Sequence, residues 1–176
     1  INELSVIDLV NIILNNTLEI ETVFELILEY ASNLLNVGQS SIMIVDENKE
    51  YLVIRTVFNK DKKIIGKKIK VNESIAGWVY TKRTPILVND IEKDSYFKKK
   101  NNPQYEKKHL LSYPLILNGD VIGVMNFNDK KGADIFSQAD IDIISSLAKQ
   151  ILFALDQAVQ EERTAKVMSD MFNEIV

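Results

Sequence analysis

The sequence predicts an α+β domain: an antiparallel sheet of about six strands, with N- and C-terminal helices packed on one face and a short helix plus an irregular segment covering the other. Three observations lead there. First, two apolar runs in Leu110–Asn128 flank Asn118-Gly119, a pair suited to the type I′ hairpin turn because that turn needs positive φ at both central residues. Second, strict alternation away from that turn puts Leu110, Ser112, Pro114, Ile116, Val121, Gly123, Met125 and Phe127 on one face, with Leu111, Tyr113, Leu115, Leu117, Ile122, Val124 and Asn126 on the other. Both faces are apolar, so something must pack on each. Third, long helical periodicity is confined to the two ends of the chain.

Asn2–Asn16 carries Leu4, Ile7, Val10 and Leu14 at helical spacing, with more apolar surface than one neighbour would cover. After Thr17-Leu18-Glu19 breaks the phase, a second helix is expected from Glu21 to Leu35, with Gly38 as its C′ residue. Ser40–Asp46 and Tyr51–Phe58 are rich in Ile, Val and aromatics and form a hairpin through Glu47–Glu50. A lysine-rich connection leads to a short strand at Lys67–Val71. Asn72-Glu73-Ser74 then offers caps for a short helix, Ile75–Lys82. Ile86-Leu87-Val88 is a strand that stops at Asn89-Asp90. Ile91–Lys108 has no clean period, and connections of that length are usually functional or mobile. Pro114 has no N–H to give, which places its strand at or near a sheet edge there. Beyond the hairpin, Ser137-Gln138-Ala139-Asp140 is close to a capping box, and the stripe Ile141, Ile144, Leu147, Ala148, Ile151, Leu152 and Leu155 opens a helix that resumes in shifted phase at Met168, Met171, Phe172 and Ile175.

Composition narrows the function classes. Lys+Arg 21 against Asp+Glu 25 leaves a net charge of −4, which offers no general field for nucleic acid. The absence of cysteine removes disulfides, thiolate metal sites and thiol catalysis. No apolar run approaches the ~20 residues that span a bilayer, so no membrane contact is expected of this segment. Acidic and basic side chains occur throughout without forming a catalytic constellation, and no phosphate-cradling glycine pattern is present, so neither catalytic nor metal-ligating residues are expected and the chain is not expected to be an enzyme. A start at Ile1 and an end at Val176 within a helical pattern imply a segment of a longer protein.

Ser74-Ile75-Ala76-Gly77-Trp78-Val79, Pro85-Ile86-Leu87-Val88-Asn89-Asp90, Tyr113-Pro114-Leu115 with Gly119-Asp120-Val121-Ile122-Gly123-Val124-Met125-Asn126, and Phe136-Ser137-Gln138-Ala139-Asp140 resemble, in order and spacing, the signature blocks of GAF domains. The likeness runs over roughly Leu18–Val159. It implies a cytoplasmic sensory or regulatory module with terminal helices behind a twisted sheet, often used for parallel dimerisation, and a ligand pocket in front. Members of the family bind cyclic nucleotides, haem, bilins, amino acids or 2-oxoglutarate, so the fold does not fix the ligand. The cyclic-nucleotide pattern Asn-Lys…Phe-x-x-x-Asp-Glu is only partly met: Asn128-Asp129, Phe136 and Asp140-Ile141 keep the Phe and the first acid but lack the adjacent Lys and the final Glu. Covalent bilin attachment and the methionine sulfoxide reductase chemistry known on this fold need cysteine and are excluded. Haem is not expected from a lone histidine.

The ligand-binding candidates are Trp78, Asn89, Asp90, Tyr96, Phe97, Tyr105, His109 and Ser112. Each has a plainer reading beside it: Trp78 as core, the three cover aromatics as anchors that pin a loop, Asn89-Asp90 as turn chemistry, and His109 as a core-edge residue. The expected organisation is a connecting or dimerisation helix at 1–17, a sensory domain at 18–159 and a signalling-helix extension at 160–176. The expected function is a ligand-sensing module of a signal-transduction protein that dimerises through coiled terminal helices. The alternative is a ligandless dimerisation and spacer module.

Overall fold

The computed structural model describes residues 20–97, 99–132 and 135–175. The helix expected at Asn2–Asn16 lies outside them. The first described helix, α1 (Ile20–Leu35), buries Val23, Phe24, Ile27, Leu28, Ala31 and Leu35, the i, i+3, i+4 stripe of an amphipathic helix. It ends one residue later at Asn36, whose φ of 52° supplies the left-handed turn expected of Gly38. Asparagine tolerates that conformation, and Gly38 lies instead inside β1 (Val37–Val45).

β1 and β2 (Tyr51–Phe58) form the expected hairpin, in which the Asp46 carboxylate accepts the Glu50 and Tyr51 N–H groups at 2.9 and 3.1 Å. Then follow β3 (Lys68–Lys70), α2 (Ile75–Lys82), β4 (Ile86–Val88), β5 (Leu110–Leu117), β6 (Asp120–Lys130) and α3 (Gln138–Ile175). The sheet order is β3-β2-β1-β6-β5-β4. Every pairing is antiparallel. Asn118 and Gly119, at φ 50° and 85°, make the turn between β5 and β6. β4 meets β5 only at Leu110–Ser112, so Pro114 sits where the outer side of β5 is unpaired and its missing N–H costs nothing.

One expectation about the hairpin is overturned. Leu115 pairs with Gly123 while Ile116 pairs with Val121, so Ile122 is an extra residue in β6 and the register beyond it shifts by one. Strict alternation separated Leu111 from Phe127 and Ser112 from Asn126; the bulge pairs each couple and gives it one face. The helix-side core therefore combines Ile42, Leu111, Leu115, Met125 and Phe127 with α1 and with Ile144, Leu147 and Ile151 of α3. A second core lies on the opposite face, where Met43, Leu52, Ile54 and Val124 meet Ala76 and Val79 of α2. Both faces of the hairpin are covered.

Two local contacts fix the covering helices. Ser74 caps α2, its hydroxyl accepting the Gly77 N–H at 2.9 Å. A Cβ on Gly77 would stand 1.7 Å from the Val71 carbonyl oxygen, so only glycine allows this approach. At the other helix, Asp140 accepts the Ser137 N–H at 2.7 Å and the Lys130 ammonium at 2.5 Å. Burial pushes its carboxyl up, but Lys130 and Ser137 together outweigh that and hold it below the ordinary carboxylate range.

Gly77→Ala should cost roughly 1–3 kcal/mol in urea denaturation, because the Val71 backbone must move. An unchanged midpoint would contradict the close approach. Because folding depresses the Asp140 pKa, its stabilisation is complete above the unfolded carboxylate value near about pH 4 and lost as pH falls through the lower folded value. The acid limb of stability against pH should be shallower in Asp140→Asn than in the unsubstituted chain.

Candidate functional site

The site follows from strand alternation. In β1, Ser40 faces α1, where its hydroxyl meets that of Ser32 at 2.5 Å, and Ile42 enters the helix-side core. Ser41 between them must face the opposite side. It pairs with Asn126 of β6, which pairs with Ser112 of β5, so Ser41, Asn126 and Ser112 form a row of uncharged polar side chains across the middle of the front face. Ser112 donates to the Asn126 side-chain oxygen at 2.7 Å. The Ser41 hydroxyl, on a residue only 1% exposed, has no hydrogen-bond partner among the described residues.

Above this floor sit α2 and the segment Ile91–Lys108, which has no helix or strand among its described residues. Trp78 of α2 packs against the front core. Its ring meets Tyr96 and Phe97 edge-on, each at 6.1 Å, and those two meet each other at 5.0 Å. The indole N–H of Trp78 is buried and, like the Ser41 hydroxyl, lacks a partner among the described residues. A buried donor without an acceptor costs about 1–3 kcal/mol, so two of them on one face of one sheet require an explanation.

Besides buried Ile91 and the aromatic contacts, hydrogen bonds fasten the cover. Asp94 accepts the Tyr96 and Phe97 N–H groups, both at 2.9 Å. The Lys99 ammonium bonds the Glu73 carbonyl at 2.6 Å. Glu92 accepts the Lys108 ammonium at 2.5 Å and the Asn101 N–H at 3.3 Å. Those two contacts draw the Glu92 carboxyl below its usual range, and Glu92 in turn raises the Lys108 ammonium. At the inner end, buried Asp129 accepts the Lys107 N–H at 2.8 Å and the Gln39 side-chain amide at 3.1 Å.

Of the eight candidates, Trp78, Tyr96 and Phe97 pack on one another, Tyr96 being 71% exposed, and Ser112 lies in the sheet on the same face. Tyr105 stands apart, its hydroxyl held by Lys60 at 2.9 Å. Asn89 is exposed and Asp90 caps a turn, accepting the Glu92 N–H at 3.0 Å. His109 is buried at the helix side, edge-on to Phe136 at 5.3 Å, with its Nε2 accepting the Lys130 N–H at 3.3 Å. Ser41 and Asn126 were absent from the expected set. The Ser40-Ser41 pair directly before the apolar run Ile42–Val45 is the sequence signal that marks the first of them. No cluster of potential metal ligands is found among the described residues, and no described helix is long and apolar enough to cross a membrane.

A family model described as GAF domain matches residues 17–156. Among solved structures, the chain is similar to the GAF domain from Acinetobacter phosphoenolpyruvate-protein phosphotransferase, at 17% identity and TM-score 0.71 over 88% of this chain and 92% of that one. It is similar to the GAF-B domain of DevS from Mycobacterium smegmatis, at 20% identity and TM-score 0.68 over 83% and 99%. It is also similar to free methionine-R-sulfoxide reductase from Neisseria meningitidis in complex with its substrate, at 14% identity and TM-score 0.72 over 89% of each chain. At these identities the likeness is one of fold.

Because the Ser41 hydroxyl has no partner among the described residues, Ser41→Ala should leave stability unchanged or raise it by about 1–2 kcal/mol, whereas Ser112→Ala, which breaks a bond to Asn126, should cost about 1 kcal/mol. Chemical denaturation of both variants checks the contrast. A large loss in Ser41→Ala would mean that its hydroxyl is satisfied.

Proposed function

This chain belongs to the GAF domain family, and on that footing we propose that it is the ligand-sensing regulatory module of a larger cytoplasmic signal-transduction protein. A small molecule enters between the front face of the sheet and the Ile91–Lys108 cover. The observation that carries this reading is the pair of buried polar groups on that face, Ser41 Oγ and Trp78 Nε1, which have no hydrogen-bond partner among the described residues. A ligand that offers a hydrogen bond to each removes their desolvation cost, and the aromatic trio gives it a face to stack on. Trp78, Tyr96, Phe97, Ser112, Ser41 and Asn126 are its contacts in this reading.

The output route is α3. Its 38 residues extend about 57 Å at 1.5 Å per residue, and Ile144, Leu147, Ala148, Ile151 and Leu152 hold its first half on the sheet. Beyond them Val167, Met168, Met171 and Phe172 are 57–70% exposed. Such a stripe seeks a partner helix, and a parallel homodimer through the terminal helices satisfies it. Occupancy of the pocket then biases two arrangements of those helices and so reaches an output domain. The reading is regulatory rather than enzymatic: the thiol chemistry implied for sulfoxide reductases of this fold cannot run on a chain without cysteine.

The same exposed stripe, with Trp78, Tyr96 and Phe97 packed on one another, favours a second reading, a ligandless dimerisation and spacer module whose aromatics fill its own front face. Differential scanning fluorimetry against a metabolite and nucleotide panel separates the two, followed by calorimetry and by the emission of Trp78, the single tryptophan of the chain. The sensor reading expects at least one compound to raise the melting temperature and shift Trp78 emission. A panel without a stabiliser, together with a dimer by light scattering, would favour the spacer. A monomer at micromolar concentration would remove the dimer from either reading.

A further inference from the structure

The cover and the output helix are fastened to the same two residues. At the end of β6, Asp129 is buried and holds a φ of 56°, a conformation that non-glycine residues adopt sparingly. Its carboxylate takes the Lys107 N–H, at the inner end of the cover, at 2.8 Å and the Gln39 amide at 3.1 Å. The Lys107 ammonium bonds the carbonyl of Lys130 at 2.6 Å. The Lys130 ammonium then bonds Asp140, whose carboxylate also accepts the Ser137 N–H at the first turn of α3. Lys130 and Asp140 side chains are only 14% and 8% exposed. Cover, strand end and helix start thus form one run of buried or half-buried polar contacts.

We propose that Asp129-Lys130 is the coupling element between the pocket cover and the output helix, so that a change in how Lys107 sits is felt at the Asp140 cap of α3. The physical reason is geometric. Lys107 grips Asp129-Lys130 through both its backbone N–H and its side chain, so the dipeptide follows the cover if the cover moves. The Lys130–Asp140 ion pair is largely shielded from water, which screens it little and makes it directional. A cover displacement therefore alters the angle at which Lys130 meets Asp140 and loosens or tightens the first turn of α3. The far end of the hairpin has a similar pair of ties, from Arg83 to the Gly119 carbonyl and from Asn118 to Asp156 at 2.9 Å. Those residues are solvent-facing and exchange with water, so they transmit less.

The use of this coupling rests on the sensor reading above, but its existence does not, and the test needs no ligand. Amide hydrogen exchange on the full chain is measured for Asp129→Asn, Asp140→Asn and the milder Lys107→Met, which removes the ammonium that bonds the Lys130 carbonyl and leaves the Lys107 N–H bond to Asp129 in place. Coupling is reciprocal. Asp140→Asn should speed exchange of the Lys107 amide by about fivefold or more, and Asp129→Asn and Lys107→Met should do the same to amides Ile141 to Ser145. Asp46→Asn, which loosens the remote β1–β2 turn, should change neither. Loosening of only the substituted end in each variant, or an equal rise in the Asp46→Asn control, would overturn the proposal. Coupled exchange in a protein that no compound stabilises would leave the coupling standing and refute the sensor reading instead.

Discussion

The whole arrangement depends on one constraint, that the β5–β6 hairpin is apolar on both sides and cannot leave either in water. Phe127 and Met125 face the helices and Val124 faces α2, all with 0% exposure. Burying side chains of this size contributes about 1.5–3 kcal/mol each, so a sheet left open on one face would lose a large part of the stability a domain possesses. The back is closed by α1 and α3, whose stripes interdigitate with it. The front is closed by an eight-residue helix and a segment held by hydrogen bonds. The two faces are thus closed by different means, packed helices behind and a short helix with an irregular segment in front.

Two adjacent serines show how differently the faces are finished. Ser40 looks back and shares a short bond with Ser32, which itself donates to the Leu28 carbonyl at 2.6 Å. Ser41 looks forward and has no partner among the described residues. Stability alone would favour alanine or valine at Ser41, because a buried hydroxyl without a partner is a net cost. Function is the kind of demand for which proteins retain such groups, at the expense of some stability.

Much of this was readable from local signals. The hairpin turn follows from Asn118-Gly119, the start of α2 from Ser74, and the start of α3 from Ser137 and Asp140, because each depends on chemistry within a few residues. The bulge at Ile122 does not: one extra residue in a Val-Ile-Gly-Val run changes no local pattern, yet it decides that Ser112 and Asn126 face the same way. The choice of Asn36 over Gly38 as the end of α1 is also tertiary, since Leu35 and Val37 must both reach the core. Among the site candidates, Trp78, Tyr96 and Phe97 converge because a helix and its cover share one face. His109 faces the other side because it is in phase with Leu111. The lysine missing beside Asn128 stands one residue further along, at Lys130, and its pairing with Asp140 is visible only once β6 and α3 are placed.

The central claim is that the front face is built to hold a guest, and native mass spectrometry of freshly purified protein tests it most directly. The account predicts a fraction of the chain carrying a discrete non-covalent mass that disappears on denaturation and is depleted when Ser41 and Trp78 are replaced by Ala and Phe. Bare polypeptide in every preparation, or an added mass indifferent to both replacements, would contradict it.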